Sequence, residues 1–326
     1  MRSTISDVAA HAGVSIKTVS RVLNNERYVR DDTRARVSAA VAALDYQPSL
    51  AARSLGGRRS FQIALLYDNP NPYYAHELQG GIRARAAADG VRLIAQPYDR
   101  GADGLAAEVG ALINATQVDG LILTPPVTDR RDVLDLLAAR GVRAVRVQPG
   151  LAHGDWPAVA IDNAAAAQAM TARLIALGHA RIGFVGGLGD YAVSAERERG
   201  YRLAITEAGH DPLIQPGDFG FASGMAAAAV LIPAGVTAIF AGSDTMAAGV
   251  LAEAHRRGLS LPADLSVGGF DDSALATAVW PPLTTVRQPL RELGWHAADL
   301  LLGETGDARR DLPFEIVERG STADAT

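Results

Sequence analysis

The chain has 326 residues, 48% of them hydrophobic, a length that predicts two or three domains. With no bilayer-length apolar run, no recognisable secretion signal and no cysteine, it is expected to be a cytoplasmic protein without membrane contact, disulfides or thiol-ligated metal. The net charge of −5 hides an asymmetry, because residues 1–60 hold ten Lys or Arg against five Asp or Glu and the remainder is acidic.

A basic amino-terminal segment on an acidic body favours a polyanionic partner for that segment. Charge alone leaves open a second interpretation, a solvated basic face that binds nothing. The predicted elements of the segment are therefore needed to choose between the two.

Three helices are predicted in this segment. Thr4 and Asp7 have the spacing of a capping box, and "ISDVAAHA" follows as a helix that Gly13 ends. Ser15 can cap a second helix, "IKTVSRVL", and "DDTRARVSAAVAALD" fits a third. Two short helices joined by a glycine turn predict a helix-turn-helix.

The second helix of this motif carries hydrogen-bonding side chains on one face. In a major groove, Arg and Lys reach guanine, Asn pairs with adenine and Ile can touch a thymine methyl group. An ordinary amphipathic surface helix is the alternative, and the agreement of cap, turn and core spacing disfavours it. The candidate DNA-reading residues are Ile16, Lys17, Ser20, Arg21 and Asn24.

The segment "SLAARSL" follows Pro48 and precedes Gly56-Gly57. It can form one or two helical turns, which are too short to be stable alone in water. A plain flexible linker is the alternative, but Leu50 and Leu55 would then have no core to enter.

Strand-like and helical segments alternate from residue 61 onward, beginning with "FQIALLY" and including helices at Leu105–Thr116 and Asp244–Arg257. The rhythm restarts after "AVAID", which predicts two similar α/β lobes with parallel sheets. Ligands of such sheets bind beyond the carboxyl ends of the strands, so the cleft between the lobes is the expected site.

Several aromatic and polar residues lie at predicted strand ends that face this cleft. Aromatic rings that cover CH groups, with carboxylate, amide and guanidinium groups for hydroxyls, suit a sugar or a similar polar metabolite. Capping or a buried structural bond is the alternative for each, and for Asp244 and Asp272 both interpretations stay open. The candidate effector-binding residues are Tyr73, Tyr74, Gln148, Arg197, Phe219, Ser243, Asp244, Asp271 and Gln288.

An enzyme is not expected. Asp271 and Asp272 are adjacent on a strand and would point to opposite faces, "GFVGGLGD" lacks the spacing of a phosphate-binding loop, and "GFASG" is out of register for a nucleophile elbow. The seven histidines show no metal-binding spacing, so no metal or cofactor is expected.

The segments "TISDVAAHAGVSIKTVSRVLNN" and "SVGGFDDS...PPLTTVRQPLRELG" closely resemble the lactose-repressor (LacI/GalR) family of bacterial transcription regulators. The resemblance implies an all-α helix-turn-helix head (1–47), a hinge helix and linker (48–60), and an α/β two-lobed periplasmic-binding-protein-like body with parallel sheets (61–326). The chain would cross between lobes near residues 161, 289 and 312. The first lobe would comprise about 61–160 and 290–311, and the second about 161–289 and 312–326.

For the head, the resemblance implies further contacts with operator DNA. Arg21, Arg34 and Arg53 would contact phosphates, and Leu55 would wedge into the minor groove when two hinge helices order on DNA. The further residues that it implicates are Ile5, Ser6, Ser15, Thr18, Tyr28, Thr33, Ser49, Ala52, Arg53 and Leu55.

The chain departs from the lactose repressor at Gln148, Phe219, Ser243 and Leu290, so the effector need not be a β-galactoside. A counterpart of that repressor's tetramerising tail is not expected. We expect a homodimeric repressor of a carbohydrate-catabolic operon that binds an approximately palindromic operator at the nucleoid. A sugar, sugar acid or glycoside would act as inducer or as corepressor. The alternative is a solute-binding protein without a gene-regulatory role, which the head disfavours.

Overall fold

The computed structural model describes residues 3–23, 26, 28–46, 59–68, 71–99, 104–150, 156–303 and 309–325. The chain divides into two compact units, Met1–Phe61 and Gln62–Thr326. We call them the head and the body. In the described part of the chain, no helix is long and apolar enough to cross a membrane.

The head contains the three predicted helices, α1 (Ile5–Ala12), α2 (Ile16–Leu23) and α3 (Asp31–Ala43). Thr4 and Asp7 form the predicted capping box, and Gly13 adopts the left-handed φ of 62° that glycine favours. One apolar cluster joins the three helices, which fixes α2 with its polar face outward. Its buried members are Val8, Ala9, Ala12, Val19, Val22, Val37, Ala40 and Tyr46.

The first lobe of the body contains a six-stranded sheet in the order β11-β5-β4-β3-β1-β2, with all neighbours parallel. Its strands are β1 (Gln62–Tyr67), β2 (Arg92–Pro97), β3 (Leu121–Leu123), β4 (Ala144–Val147), β5 (Ala158–Ala160) and β11 (Arg309–Asp311). The helices packed with them are α4 (Pro72–Ala88), α5 (Leu105–Thr116), α6 (Arg131–Ala139) and α12 (Leu290–Leu302).

The second lobe repeats this arrangement in the order β12-β10-β9-β8-β6-β7. Its strands are β6 (Ile182–Val185), β7 (Leu213–Gln215), β8 (Ala238–Ala241), β9 (Ser266–Asp271), β10 (Thr284–Arg287) and β12 (Glu315–Val317). Its helices are α7 (Asn163–Ala176), α8 (Ala192–Glu207), α9 (Phe221–Leu231), α10 (Asp244–Arg256) and α11 (Ala274–Ala278). The chain thus passes between the two sheets after β5, after β10 and after β11.

The predicted parallel arrangement has one exception, because β12 runs antiparallel to β10. Strand β11 ends at the cleft, and only three residues later the chain enters the second sheet from that same edge. Strand β12 must therefore run antiparallel to its neighbour β10. Strand β10 is consequently not at the edge of this sheet, because β12 lies outside it.

Candidate nucleic-acid interface and ligand cavity

The outward face of α2 carries most of the predicted DNA-reading residues. Lys17 and Arg21 are exposed, Ser20 is half-buried, and Ile16 is 49% exposed although it is a large apolar side chain. An apolar side chain left in water on a short helix that also exposes Lys17 and Arg21 is consistent with a face that docks onto a partner. Asn24 lies outside the described residues.

Two arginines of the predicted phosphate-binding set are held by the loop that follows α2. Arg21 forms an ion pair with Glu26 at 3.5 Å, and Arg34 donates a hydrogen bond to the Glu26 carbonyl at 2.9 Å. The ion pair is half-exposed, so its contribution to stability is small and phosphate can compete for the guanidinium. Arg53, Ser49, Ala52 and Leu55 lie outside the described residues.

The other predicted residues of the head differ in how they are engaged. Ser15 caps α2, because its hydroxyl accepts from the Thr18 amide at 3.2 Å and lies 2.9 Å from the Thr18 hydroxyl. Ser6 is exposed, Tyr28 is 100% exposed, and Ile5 and Thr33 are half-buried.

In the body, a small cavity lies between the lobes at the carboxyl ends of the strands, where α/β sheets bind ligands. Its volume is ≈ 20 Å³, room for about one water, so the lobes are closed upon each other. Seven of the nine predicted effector-binding residues line it: Tyr74, Gln148, Arg197, Phe219, Ser243, Asp271 and Gln288.

Arg197 forms the floor of the cavity from the amino-terminal part of α8. Its guanidinium carbon lies 3.7 Å from the centroid of the Phe270 ring, and it donates hydrogen bonds to the Asn163 side chain and to the Gly242 carbonyl. The side chain is buried, and this burial lowers the pKa of the guanidinium, an effect that the Asp271 carboxylate opposes. The cation is therefore fixed in place before any ligand arrives.

Asp271 ends β9 and links the lobes. It accepts hydrogen bonds from the Asn71 amide of the first lobe at 2.8 Å and from Gln288 at 2.6 Å. Burial raises its pKa to about 6, although Arg197 and the two amides act in the opposite direction. Asp271 and Asp272 have φ values of 119° and 55°, a conformation that costs about 1–3 kcal/mol per non-glycine residue and needs support from neighbouring groups.

Gln148 and Gln288 extend this network across the points where the chain passes between lobes. Gln148 donates to Gln288 at 3.0 Å, and its side-chain oxygen accepts from the Ile161 amide and from Asn163. Since each side chain fixes the next, a hydrogen-bonded series runs from Gln148 to Asn71.

Two further contacts bring the lobes together. The Tyr191 hydroxyl donates to the main-chain carbonyl of Asp68, and Gly150 lies so close to Ala192 that a methyl group at residue 150 would overlap the one there. Tyr74 is buried beside them, its hydroxyl has no hydrogen-bond partner within the described ranges, and burial raises its pKa above the ordinary value. Tyr74 thus offers a free donor and acceptor to a ligand.

Two predicted residues do not line the cavity. Tyr73 is half-buried at the start of α4, and Asp244 is buried inside the second lobe. Asp244 accepts hydrogen bonds from the Ser273 amide and hydroxyl at 2.7 and 2.9 Å and from the Thr285 hydroxyl at 2.6 Å. Burial, followed by repulsion from Asp271, raises its pKa to about 8.

Sequence reasoning missed four lining residues: Asn71, Pro125, Tyr191 and Val193. Each lies two to eight residues after a strand of one of the two sheets. This position beyond a strand end is the sequence feature from which they could have been predicted. Asn71 was hidden because an asparagine before a proline resembles a helix cap, which it also is: its side chain accepts from the Tyr73 amide. Within the described part of the chain, no group of three or more His, Asp or Glu could hold a metal ion.

Comparison with known proteins identifies the family to which this architecture belongs. Residues 4–49 match the family of bacterial regulatory proteins called the lacI family, and residues 171–322 match the periplasmic binding protein-like domain. The HTH-type transcriptional regulator DegA of Bacillus subtilis (strain 168) is 33% identical over 338 residues, which cover 99% of each chain. This chain belongs to the lacI family.

Other relatives of this lacI-family chain agree over head and body together. Catabolite control protein A of Priestia megaterium is 36% identical, with 99% of this chain and 100% of that protein covered. Among solved structures, the lac repressor dimer bound to operator and the anti-inducer ONPF has a TM-score of 0.85 at 29% identity, covering 99% of this chain and 100% of that one. The CelR–cellobiose complex has a TM-score of 0.73 at 32% identity, covering 98% and 100%.

Membership in the lacI family confirms the predicted fold class and the resemblance on which it was based. The chain is a DNA-binding transcriptional regulator that binds a small effector, and the prediction that it is not an enzyme is confirmed. Because the matches span the head as well as the body, a solute-binding protein without a regulatory role is excluded.

Proposed function

We propose that this lacI-family protein is a homodimeric repressor of a carbohydrate-catabolic operon, controlled by a sugar-like effector in the cleft between the lobes. The observation that carries the proposal is the cavity lined by Phe219, Arg197 and Asp271 together with Asn71 of the opposite lobe. Aromatic rings next to paired donors and acceptors are the chemistry that recognises the CH face and the hydroxyls of a sugar.

Two similar proteins support a carbohydrate. CelR is similar to this chain and forms a complex with cellobiose, and the ribose operon repressor of Escherichia coli (strain K12) is 34% identical over 98% of this chain. The closed cavity of ≈ 20 Å³ cannot admit a sugar, so binding requires the lobes to separate and close again around it. Asp271 and Gln288 also line a larger groove of ≈ 620 Å³.

For the DNA-binding step, we propose that α2 enters the major groove, where Ile16, Lys17 and Asn24 select the sequence and Arg21 contacts phosphate. Residues 48–60 would form the hinge helix and linker, with Arg53 on a phosphate and Leu55 as the wedge. A dimer with two such heads requires an approximately palindromic operator, and such a protein acts on the nucleoid in the cytoplasm.

Homodimerisation is proposed from the lac repressor dimer, to which this chain is similar over nearly its whole length. The second lobe also exposes Phe221, Val230 and Trp280, with Trp280 78% exposed, and exposed apolar side chains of this size favour an interface. Sedimentation of the purified chain tests this: a monomer at micromolar concentration would contradict it.

Effector control would act through the angle between the lobes. A ligand that stabilises one lobe arrangement changes operator affinity by the difference in its affinity for the two arrangements, which is typically about 1–3 kcal/mol. The sign of this coupling separates an inducer from a corepressor.

The test has two stages. Selection from random duplexes at physiological salt should yield an inverted repeat, and operator affinity should then change on addition of one member of a panel of pentoses, hexoses, disaccharides and sugar acids. Thermal melting of the chain with the same panel reports binding independently of DNA. If no inverted repeat is enriched, or if no carbohydrate raises the melting temperature, the proposal fails.

A further inference from the structure

We propose that Asp244 is a positioning residue: from inside the second lobe, it fixes the Asp271-Asp272 turn so that the Asp271 carboxylate meets Asn71 and closes the cleft. Asp244 does not line the cavity, and it reaches the effector site only through Asp271. The inference rests on the proposed function in one respect, since it takes Asp271 as an effector contact. The predicted effect of Asp244 on lobe closure can be measured without an effector.

The turn needs external support because of its backbone. Asp271 and Asp272 both have positive φ, 119° and 55°, although neither is glycine. Residues in this conformation persist only where neighbouring groups hold them. The turn is nevertheless the point from which the Asp271 carboxylate reaches across to the first lobe.

Asp244 supplies that support from directly beneath the turn. One of its oxygens accepts both the amide and the hydroxyl of Ser273, at 2.7 and 2.9 Å, and the other lies 2.6 Å from the Thr285 hydroxyl on the neighbouring strand β10. These bonds tie the residue after the turn to α10 and to β10 at once. All three side chains are at most 5% exposed, so water does not replace a lost bond.

A second group holds the outer side of the turn. Arg287 donates to Asp272 at 2.6 Å, and Arg319 forms an ion pair with it at 2.6 Å. The Arg287 side chain is 47% exposed, so that ion pair is screened by solvent, whereas the contacts of Asp244 are not. The Arg319 pair is more buried, with side chains 17% and 7% exposed, so Arg319 secures Asp272 while Asp244 secures Ser273, the residue after the turn.

The hydrogen bonds that Asp244 forms depend on whether its carboxyl group is protonated. The charged groups that face it are Asp271 on β9 and Arg197 on α8, and burial together with repulsion from Asp271 raises its pKa to about 8. When Asp244 is ionised, it accepts from the Thr285 hydroxyl at 2.6 Å. When that oxygen is protonated, the direction of this hydrogen bond reverses, because a hydroxyl can accept as well as donate, and the other oxygen remains the acceptor for Ser273. Asparagine has the same arrangement of acceptor and donor.

The test measures lobe closure in the full chain. Since the sequence has no cysteine, Ala138→Cys on α6 and Thr206→Cys on α8 would be the only thiols, and spin labels on these two exposed residues report the distance between the lobes. Labelled chains are mixed with excess unlabelled chains so that distances within one chain dominate. Asp271→Ala, which removes the carboxylate that bridges to Asn71, defines the open distance.

Without ligand at pH 7, we expect the wild type and Asp244→Asn to share the short distance and Asp244→Ala to shift to the distance of Asp271→Ala. Thr285→Val, which keeps the side-chain shape and loses one bond, should shift in the same direction and serves if Asp244→Ala does not fold. Glu253→Gln is the matched control, since Glu253 is a buried carboxylate of the same helix that pairs with Arg256 and Arg257. It should leave the distance unchanged.

A pH series separates positioning from general stability. From pH 7 to 9 the wild type should lose the short distance as Asp244 ionises beside Asp271, and Asp244→Asn should keep it. The inference is overturned if Asp244→Ala or Thr285→Val folds and keeps the wild-type distance, or if Glu253→Gln opens the cleft equally. It is also overturned if the distance in Asp244→Asn changes with pH as it does in the wild type, or if the wild type already shows the open distance. Failure to find a carbohydrate effector would leave these results unaffected.

Discussion

The side-chain amide of Asn71 in the first lobe donates a hydrogen bond of 2.8 Å to the carboxylate of Asp271 in the second. Both side chains are buried, and Asn71 is itself fixed because its oxygen accepts from the Tyr73 amide at the start of α4. A bond between two anchored groups transmits a small displacement of one lobe to the other, so this pair is where ligand binding and lobe closure meet.

Replacing Asn71 with alanine should weaken effector binding. A hydrogen bond to a charged group contributes about 1.5–3 kcal/mol, which corresponds to a loss of roughly tenfold to a hundredfold in affinity when the closed form is the binding form. Calorimetric titration with the carbohydrate identified in the melting screen measures it. Asn114→Ala, which removes an asparagine that accepts from Arg140 outside the cavity, is the control and should bind normally. Equal affinities would contradict the bridging role of Asn71.

Removal of the Asp271 side chain has a more selective expected outcome. Asp271→Ala should abolish the change in operator affinity on adding effector, because it removes an effector contact and opens the cleft. Operator binding itself should persist, at the affinity of the open arrangement, since the residue lies in the body and not in the head. Fluorescence anisotropy of a labelled operator, with and without effector, provides both numbers. A normal effector response would remove Asp271 from the site.

Arg21→Ala should lower operator affinity at least tenfold and leave effector binding unchanged. Its guanidinium is half-exposed beside Glu26 and free to exchange that partner for phosphate. If the contact is to phosphate, the slope of log affinity against log salt should fall in magnitude by about 0.9 for each head, which is about 1.8 for the proposed dimer with two heads on the operator. Arg202→Ala, an exposed arginine of the body that also pairs with a glutamate, is the matched control. Unchanged operator affinity would refute the assignment of α2 to the groove.

How well the sequence predicts these features depends on whether the interactions that determine them join residues near to each other or far apart along the chain. Local signals were sufficient for the head, where Thr4, Asp7 and Gly13 specify their own helix ends, and for α5, whose bounds match the expected Leu105–Thr116. Strand ends could be placed, and with them seven lining residues. The choice between Ser243 and Asp244 could not be made, because neighbouring residues at a helix start point in different directions and only the surrounding core decides which faces the cleft.

Long-range pairing was the other limit. The strand β12 has three residues and no distinctive pattern, and its antiparallel position beside β10 results from where the chain leaves β11. Asn71 and Asp271 are 200 residues apart, so no local signal could pair them.

The pH dependence of stability should reveal the two buried carboxyls. Their folded pKa values, about 8 for Asp244 and about 6 for Asp271, lie above the ordinary 3.8, so the folded state holds more protons than the unfolded state between pH 4 and 8. Their contribution to the free energy of unfolding therefore falls as pH rises through this window, by at most about 1.4 kcal/mol per pH unit for each group. Urea denaturation from pH 5 to 8 measures it.

In that experiment, the difference between Asp244→Asn and the wild type isolates one carboxyl from all other titrating groups. Relative to the wild type, the variant should gain stability steadily as pH rises. His179 and His296, whose pKa values burial lowers, act in the opposite direction in both chains and cancel in the difference. A constant difference across the window would show that Asp244 titrates normally.

The contact between Gly150 and Ala192 allows lobe closure to be blocked sterically without altering any polar group. Gly150→Ala would place two methyl groups in the same space, so the lobes must separate, and the distance between the labels at residues 138 and 206 should increase. Ala192→Gly alone should leave the distance unchanged. The double variant Gly150→Ala/Ala192→Gly exchanges the methyl group between the lobes and should restore the closed distance. If the double variant stays open, the alanine at residue 150 acts through its own loop and not through contact with α8.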